Sequence, residues 1–101
     1  MRTEKIMTSK KKLIALLEKK YPDLVIFEDG NGWISKSEKT FAVSSEDRVC
    51  SSNGYDLMNY WTQNYDHYEF GVHLELVNFL SKHGWYGEWC NPGVLGIVQD
   101  I

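Results

Sequence analysis

The chain has little cysteine, little proline and no long hydrophobic run. Its 101 residues include two prolines and two cysteines, Cys50 and Cys90. Two cysteines fall short of the dense disulfide framework that staples small secreted domains. The apolar run near the N-terminus, Leu13 to Leu17, has five residues. A signal-peptide core needs about seven or more and a membrane span about 20. We therefore expect a cytoplasmic protein with reduced thiols and no membrane contact.

Specific catalytic and cofactor signatures are also missing. The three histidines and two cysteines lack the spacings typical of zinc sites and metalloproteases. No glycine-rich loop leads from a strand into a helix, which is the usual phosphate cradle. We predict no metal site, no cofactor and no enzymatic activity. One alternative is a small metal- or thiol-dependent enzyme that uses residues among His67, His73, Glu75, His83 and Cys90.

Charge is unevenly distributed along the chain. Residues 1–20 hold seven basic and two acidic residues, a net charge of +5, whereas residues 21–101 hold four basic and twelve acidic residues, a net charge of -8. A lysine-rich helix is the electrostatic footprint of nucleic-acid binding, so a nucleic-acid accessory protein is a second alternative. The acidic remainder would repel phosphate, so we favour a solvated lysine face.

Two helices are predicted from apolar spacing. Residues 9–20 place leucines on one face, with Ser9 as N-cap and Pro22 as the stop. Residues 72–82 repeat apolar side chains at helical spacing, and Gly84 suits the left-handed position after the last turn. His83 would lie in that last turn, where the helix dipole favours its protonated form.

Strands fill most of the remainder. Leu24–Glu28, Trp33–Ile34 and Thr40–Ser44 predict a three-stranded meander, with "DGNG" as its first turn. Trp85–Cys90 and Val94–Gln99 predict a hairpin around "NPG", with Trp89 opposite Gly96.

Together these elements predict an α+β fold. A small antiparallel sheet, the N-terminal meander plus the C-terminal hairpin, packs against two main helices. Residues 1–101 form one domain, with residues 1–8 as a frayed tail. The expected core comprises Trp33, Phe41, Leu76, Phe79, Leu80, Trp85, Trp89, Leu95 and Ile97.

Residues 55–70 are the most informative stretch for function. They hold six aromatic and three acidic residues and no lysine or arginine. Tyrosine and tryptophan give large contact areas at low entropic cost and are enriched at binding hot spots. We expect a short helix over Leu57–Gln63, and these rings divided between the core and the surface. The predicted function is binding of a basic protein partner, as an inhibitor or immunity-type protein. The predicted partner-binding residues are Tyr55, Asp56, Tyr60, Trp61, Tyr65, Asp66, Tyr68 and Glu69.

Overall fold

The structure is a computed structural model, and it describes residues 8–44 and 49–100. Within these residues it has two α-helices, a four-stranded antiparallel sheet and a two-stranded hairpin, which confirms the predicted α+β class. In chain order the elements are α1 (Lys10–Lys20), β1 (Val25–Phe27), β2 (Thr40–Ser44), β3 (Tyr68–Glu69), β4 (Val72–His73), α2 (Leu74–Lys82), β5 (Trp85–Asn91) and β6 (Val94–Gln99). No helix among the described residues combines the length and apolar character that a membrane span requires.

Helix α1 begins as the sequence predicts. The Ser9 hydroxyl accepts a hydrogen bond from the backbone N–H of Lys12, which satisfies one of the unpaired N–H groups of the first turn. Leu13 and Leu17 are completely buried. Thr8, expected at the end of a frayed tail, is also buried, and its carbonyl accepts the indole N–H of Trp85 at 2.7 Å. The rest of the predicted tail, residues 1–7, lies outside the described residues.

Helix α2 is held at both ends. The Nδ1 of His73 accepts the backbone N–H of Glu75, so a histidine serves as the N-cap. Beyond the last turn, Gly84 has a φ of +81°, the left-handed conformation predicted for it. Leu76 and Leu80 are buried on the inner face of the helix.

The sheet has the strand order β1-β2-β6-β5, and all its neighbours are antiparallel. Cross-strand pairing places Phe41 with Ile97, and Val43 with Leu95, on one face. These side chains and Trp85 form one core with the buried leucines of both helices. Six of the nine predicted core residues are buried, and Phe79 and Trp89 are partly buried against them.

The predicted strand at Trp33–Ile34 is wrong. Gly30, Asn31 and Gly32 all have positive φ values, so the chain forms a short 3-10 turn (Gly30–Gly32) instead of a tight hairpin. Trp33 follows this turn and is 47% exposed, so it is not a core residue. Strand β1 therefore pairs directly with β2 across a longer connection.

The C-terminal hairpin forms as predicted, but its register differs by one residue. Glu88 lies opposite Gly96, and Trp89 lies opposite Leu95. A bulge between Trp89 and Asn91 accounts for the shift. A Cβ on Gly96 would come within 3.1 Å of the Cys90 Sγ and of Ile34, so these two side chains cover the glycine. The ring of Trp89 therefore lies on the opposite, helix-facing side of β5.

Candidate functional site

The segment 55–70 has no helix, contrary to the prediction for Leu57–Gln63. Its polar side chains bind the nearby backbone instead. The Asn59 Oδ1 accepts the N–H of Trp61 at 3.2 Å, and the Thr62 Oγ1 accepts the N–H of Asn64 at 3.1 Å. Such local bonds compete with helical hydrogen bonds and favour turns. The chain therefore makes successive turns that direct aromatic side chains outward.

Two points anchor this segment to the core. Leu57 is completely buried, and its carbonyl accepts the N–H of His73 at 2.9 Å. Tyr68 is buried too, and its hydroxyl donates to the Asp56 carbonyl at 2.7 Å. Burial first, and then the charge of Asp56, raises the pKa of the Tyr68 hydroxyl. Tyr68 therefore belongs to the packing of the segment, not to its outer surface.

Four aromatic residues gather beside this segment on the molecular surface, and we call them the aromatic patch: Tyr60, Trp61, Phe70 and Trp89. The ring of Tyr60 contacts those of Trp61 and Trp89 edge-on, at centroid distances of 4.8 and 5.2 Å. The indole N–H of Trp89 donates to the Phe70 carbonyl. This contact ties β5 to the β3–β4 turn, so residues far apart in sequence form one surface.

Phe70 occupies an unusual backbone position. It is the first residue of the two-residue turn between β3 and β4, with a φ of +51°, and Gly71 follows with a φ of +82°. A side chain in this left-handed region costs roughly 1–2 kcal/mol, and turns of this type prefer asparagine or glycine there. The side chain is also 86% exposed, so the core gains little from it. Strained residues of this kind cluster at binding and catalytic sites.

The patch borders two depressions. The larger, of about 730 Å³, lies between α2, β5 and the β3–β4 turn, and Phe70, Tyr86 and Trp89 contribute to its walls. The smaller, of about 200 Å³, lies between Trp61, Tyr60, Trp89 and Pro92. Trp89 is shared by both depressions, which makes it the centre of the surface.

The larger groove is acidic. Glu69, Glu88 and Asp100 line it, and no lysine, arginine or histidine does so among the described residues. Glu69 and Glu88 form no salt bridge with any residue in 8–44 or 49–100. The groove therefore combines negative charge with aromatic rings, which suits a cationic ligand.

The structure divides the predicted partner-binding residues into three groups. Tyr60, Trp61 and Glu69 belong to the patch and groove. Tyr65 and Asp66 are exposed on a neighbouring turn, with the Tyr65 ring 77% exposed.

The third group lies over the start of α2. The ring of Tyr55 stacks on His67 at 4.5 Å, and the Asp56 carbonyl accepts the Tyr68 hydroxyl. The predicted partner-binding residues did not include Phe70, Tyr86, Glu88 or Trp89, although Phe70 belongs to the aromatic-rich segment 55–70. A bulky aromatic residue directly before glycine between two short β segments was the one local signal for Phe70.

The residues of the enzymatic alternative serve other contacts. His73 caps α2 through Nδ1, and its Nε2 finds no hydrogen-bond partner among the described residues. Glu75 accepts the Tyr21 hydroxyl at 2.6 Å and the Ser52 N–H at 2.9 Å. No group of three His, Cys, Asp or Glu side chains in the described part of the chain is arranged to hold a metal ion.

Electrostatics also disfavour thiol and imidazolium chemistry. Burial first, then the charge of Glu88, raises the pKa of the Cys90 thiol, so the thiolate nucleophile is disfavoured. Burial first, then Lys82 and Lys12, lowers the pKa of His83, so the expected protonated imidazole is disfavoured. Cys50 and Cys90 are not joined to each other by a disulfide.

The basic helix uses part of its charge within the molecule. Lys10 is buried and donates to the Ser37 carbonyl at 2.9 Å. The ammonium of Lys20 lies over the rings of Tyr21 and Phe79, at 5.6 and 5.7 Å. Lys11, Lys12 and Lys19 remain on the solvated face.

No protein-family model matches this chain, and neither a curated protein nor a solved structure is similar enough to match.

Proposed function

We propose that this is a non-catalytic cytoplasmic protein that binds a basic protein partner through the aromatic patch and the acidic groove beside it. Its small size and acidic surface suit an inhibitor or immunity-type protein, which would cover a basic functional surface on its partner. The proposal rests above all on one observation: four aromatic residues form a single surface beside Glu69 and Glu88, which form no salt bridge with a described residue.

The exposure of these rings supports binding. Trp61 is 74% and Phe70 86% exposed, although each would gain free energy if it were buried. Contiguous exposed apolar patches on soluble proteins mark interaction sites. Tryptophan and tyrosine at the centre of such a patch carry most of the binding energy in measured interfaces.

The charge beside the rings supports a basic partner. Glu69 and Glu88 lie next to the rings and form no salt bridge with a described residue. A lysine or arginine of the partner could form a salt bridge with a carboxylate here and a cation–π contact with a neighbouring ring. Complementary charge would also accelerate association and make it sensitive to salt.

Affinity capture tests the proposal. The tagged wild-type protein is used to capture partners from its native host, and the captured protein is identified and purified. We expect a basic protein whose binding weakens with salt. The double variant Tyr60→Ala/Trp61→Ala should bind that protein at least about 30-fold more weakly, since hot-spot residues contribute about 2 kcal/mol or more.

Trp33→Ala is the matched control. Trp33 is another half-exposed tryptophan, but it lines neither depression. Its substitution should leave the affinity unchanged. Equal affinity of the wild type and the Tyr60→Ala/Trp61→Ala variant, with folding verified by circular dichroism, would remove the proposal.

A further inference from the structure

Among the described strands, β5 is the longer of the two edge strands of the four-stranded sheet. The strand order β1-β2-β6-β5 leaves two edges, and β1 has three residues whereas β5 has seven. An edge strand presents unpaired N–H and C=O groups that can template a strand from another chain. Proteins usually protect such an edge, yet β5 has the exposed residues Tyr86, Gly87 and Glu88 at its centre.

The hydrogen-bond pattern shows which backbone groups face outward. The N–H of Gln99 donates to Lys39, on the β2 side of β6, whereas the N–H of Asp100 donates to Gly84, on the β5 side. Antiparallel pairing alternates residue by residue. Tyr86 and Glu88 therefore bond to β6, and the N–H and C=O groups of Trp85 and Gly87 point to the open edge. The same parity applies to Trp89, just before the bulge.

The acidic groove runs along this edge. Trp85 and Trp89 lie on the helix-facing side of β5, and Tyr86 and Glu88 lie on the other side, yet all four line the same groove. Residues from both faces of a strand border one depression where the depression follows the strand's edge. Val77 and Ser81 of α2 form the opposite wall. A groove between an edge strand and a helix is a geometry in which extended peptides bind.

We propose that an extended, arginine- or lysine-rich segment of the partner binds by adding a strand along the outer edge of β5. This inference rests on the proposed function and specifies how the partner is held. Backbone hydrogen bonds to Trp85, Gly87 and Trp89 supply affinity, and they span about five residues of the added strand.

The charges select the occupant. Glu69 lies at the β3–β4 turn and Glu88 at the middle of β5, so acidic groups lie at two points along the groove. An extended segment of alternating composition can present basic side chains on the side of Glu88 and apolar side chains on the opposite side, where Trp89 lies.

A synthetic peptide that alternates arginine and valine provides the probe, titrated into the purified wild-type protein by calorimetry. Two further peptides carry N-methyl groups on alternate residues, one in each of the two possible phases. All three have the same charge, and N-methylation removes the N–H donors from only one edge of the strand. We expect one phase to bind at least about tenfold more weakly and the other to bind like the parent, because only one peptide edge faces β5.

Amide hydrogen exchange gives a second readout. Binding should slow exchange at Trp85, Gly87 and Trp89 and leave Tyr86 and Glu88, already bonded to β6, nearly unchanged. The variant Gly87→Pro removes one outward N–H, but its Cβ would lie 3.1 Å from the Leu95 side chain, so its folding is verified by circular dichroism. When folded, it should bind the parent peptide comparably weakly.

Equal binding of both N-methylated peptides, or no binding of the parent peptide, would overturn strand addition. Because the peptide experiments use the wild-type protein, this result does not depend on whether Gly87→Pro folds. The proposed function is judged separately, by loss of partner capture in the Tyr60→Ala/Trp61→Ala variant. If partner capture is lost in the Tyr60→Ala/Trp61→Ala variant but unchanged in a folded Gly87→Pro variant, only the strand-addition inference is removed.

Discussion

Replacing Phe70 with asparagine should stabilise the protein and weaken its binding at the same time. The φ of Phe70 is +51°, a conformation that costs a bulky residue roughly 1–2 kcal/mol, whereas asparagine adopts it readily. The following Gly71 completes an Asn-Gly pair, the preferred sequence for this turn. The hydrogen bond from the Trp89 indole uses the Phe70 carbonyl, so the substitution leaves it intact.

The loss of the ring opposes this gain only in part. Because the residue is 86% exposed, the ring buries roughly 30 Å² of the 200 Å² available to a phenylalanine. That burial contributes about 0.7 kcal/mol or less. The net effect is a stabilisation of about 0.5–1 kcal/mol, which corresponds to a rise in Tm of about 2–8 °C for a domain of this size.

Calorimetry and urea denaturation measure the stability, and titration of the captured partner measures the affinity. Phe70→Ala is the control, because alanine loses the ring but keeps the cost of the left-handed conformation. It should bind as weakly as Phe70→Asn without gaining stability. A lower Tm for Phe70→Asn would refute the argument from backbone strain. Unchanged affinity in both variants would refute the role of Phe70 in binding.

Two further predictions concern the support of the site. Gly71→Ala should destabilise the protein by at least about 2 kcal/mol for two reasons. Alanine is strained at a φ of +82°, and its Cβ would lie only 2.8 Å from the Asn59 carbonyl oxygen. Gly54→Ala is the control, because Gly54 has a φ of +87° but open space around it, and it should cost only about 1 kcal/mol. Similar urea midpoints for the two variants would contradict the steric argument. Burial alone raises the pKa of Glu75, but hydrogen bonds from Tyr21 and Ser52 lower it on balance. The resulting stabilisation is complete above about pH 4.5 and is lost as the pH falls through the lower folded-state pKa. In the Glu75→Gln variant, the free energy of unfolding should fall less steeply as the pH is lowered below about 4.5. An unchanged pH dependence would show that Glu75 does not cause the loss of stability in acid.

Local sequence patterns predicted the helices and the C-terminal hairpin because their signals lie within a few residues. Ser9 caps α1 and Gly84 ends α2 for reasons that are visible in the chain itself. The failures have non-local or competing causes. Side chains of Asn59 and Thr62 capture nearby backbone N–H groups, so the apolar spacing of 57–63 does not produce a helix.

The candidate site was only partly predictable for a related reason. Tyr60 and Trp61 could be chosen from the composition of their own segment. Trp89 packs partly against the core, as predicted, but its place in the patch depends on a hydrogen bond to Phe70, 19 residues away, which the sequence does not reveal. The groove itself requires the strand order of the sheet, which places β5 at an edge.

The decisive measurement is the affinity of the purified partner for the Phe70→Ala variant, compared with its affinities for the wild type and for Trp33→Ala. If the aromatic patch is the binding surface, loss of the Phe70 ring weakens binding about tenfold or more, and loss of Trp33 does not. Equal affinities for all three proteins would show that the partner binds elsewhere on the molecule.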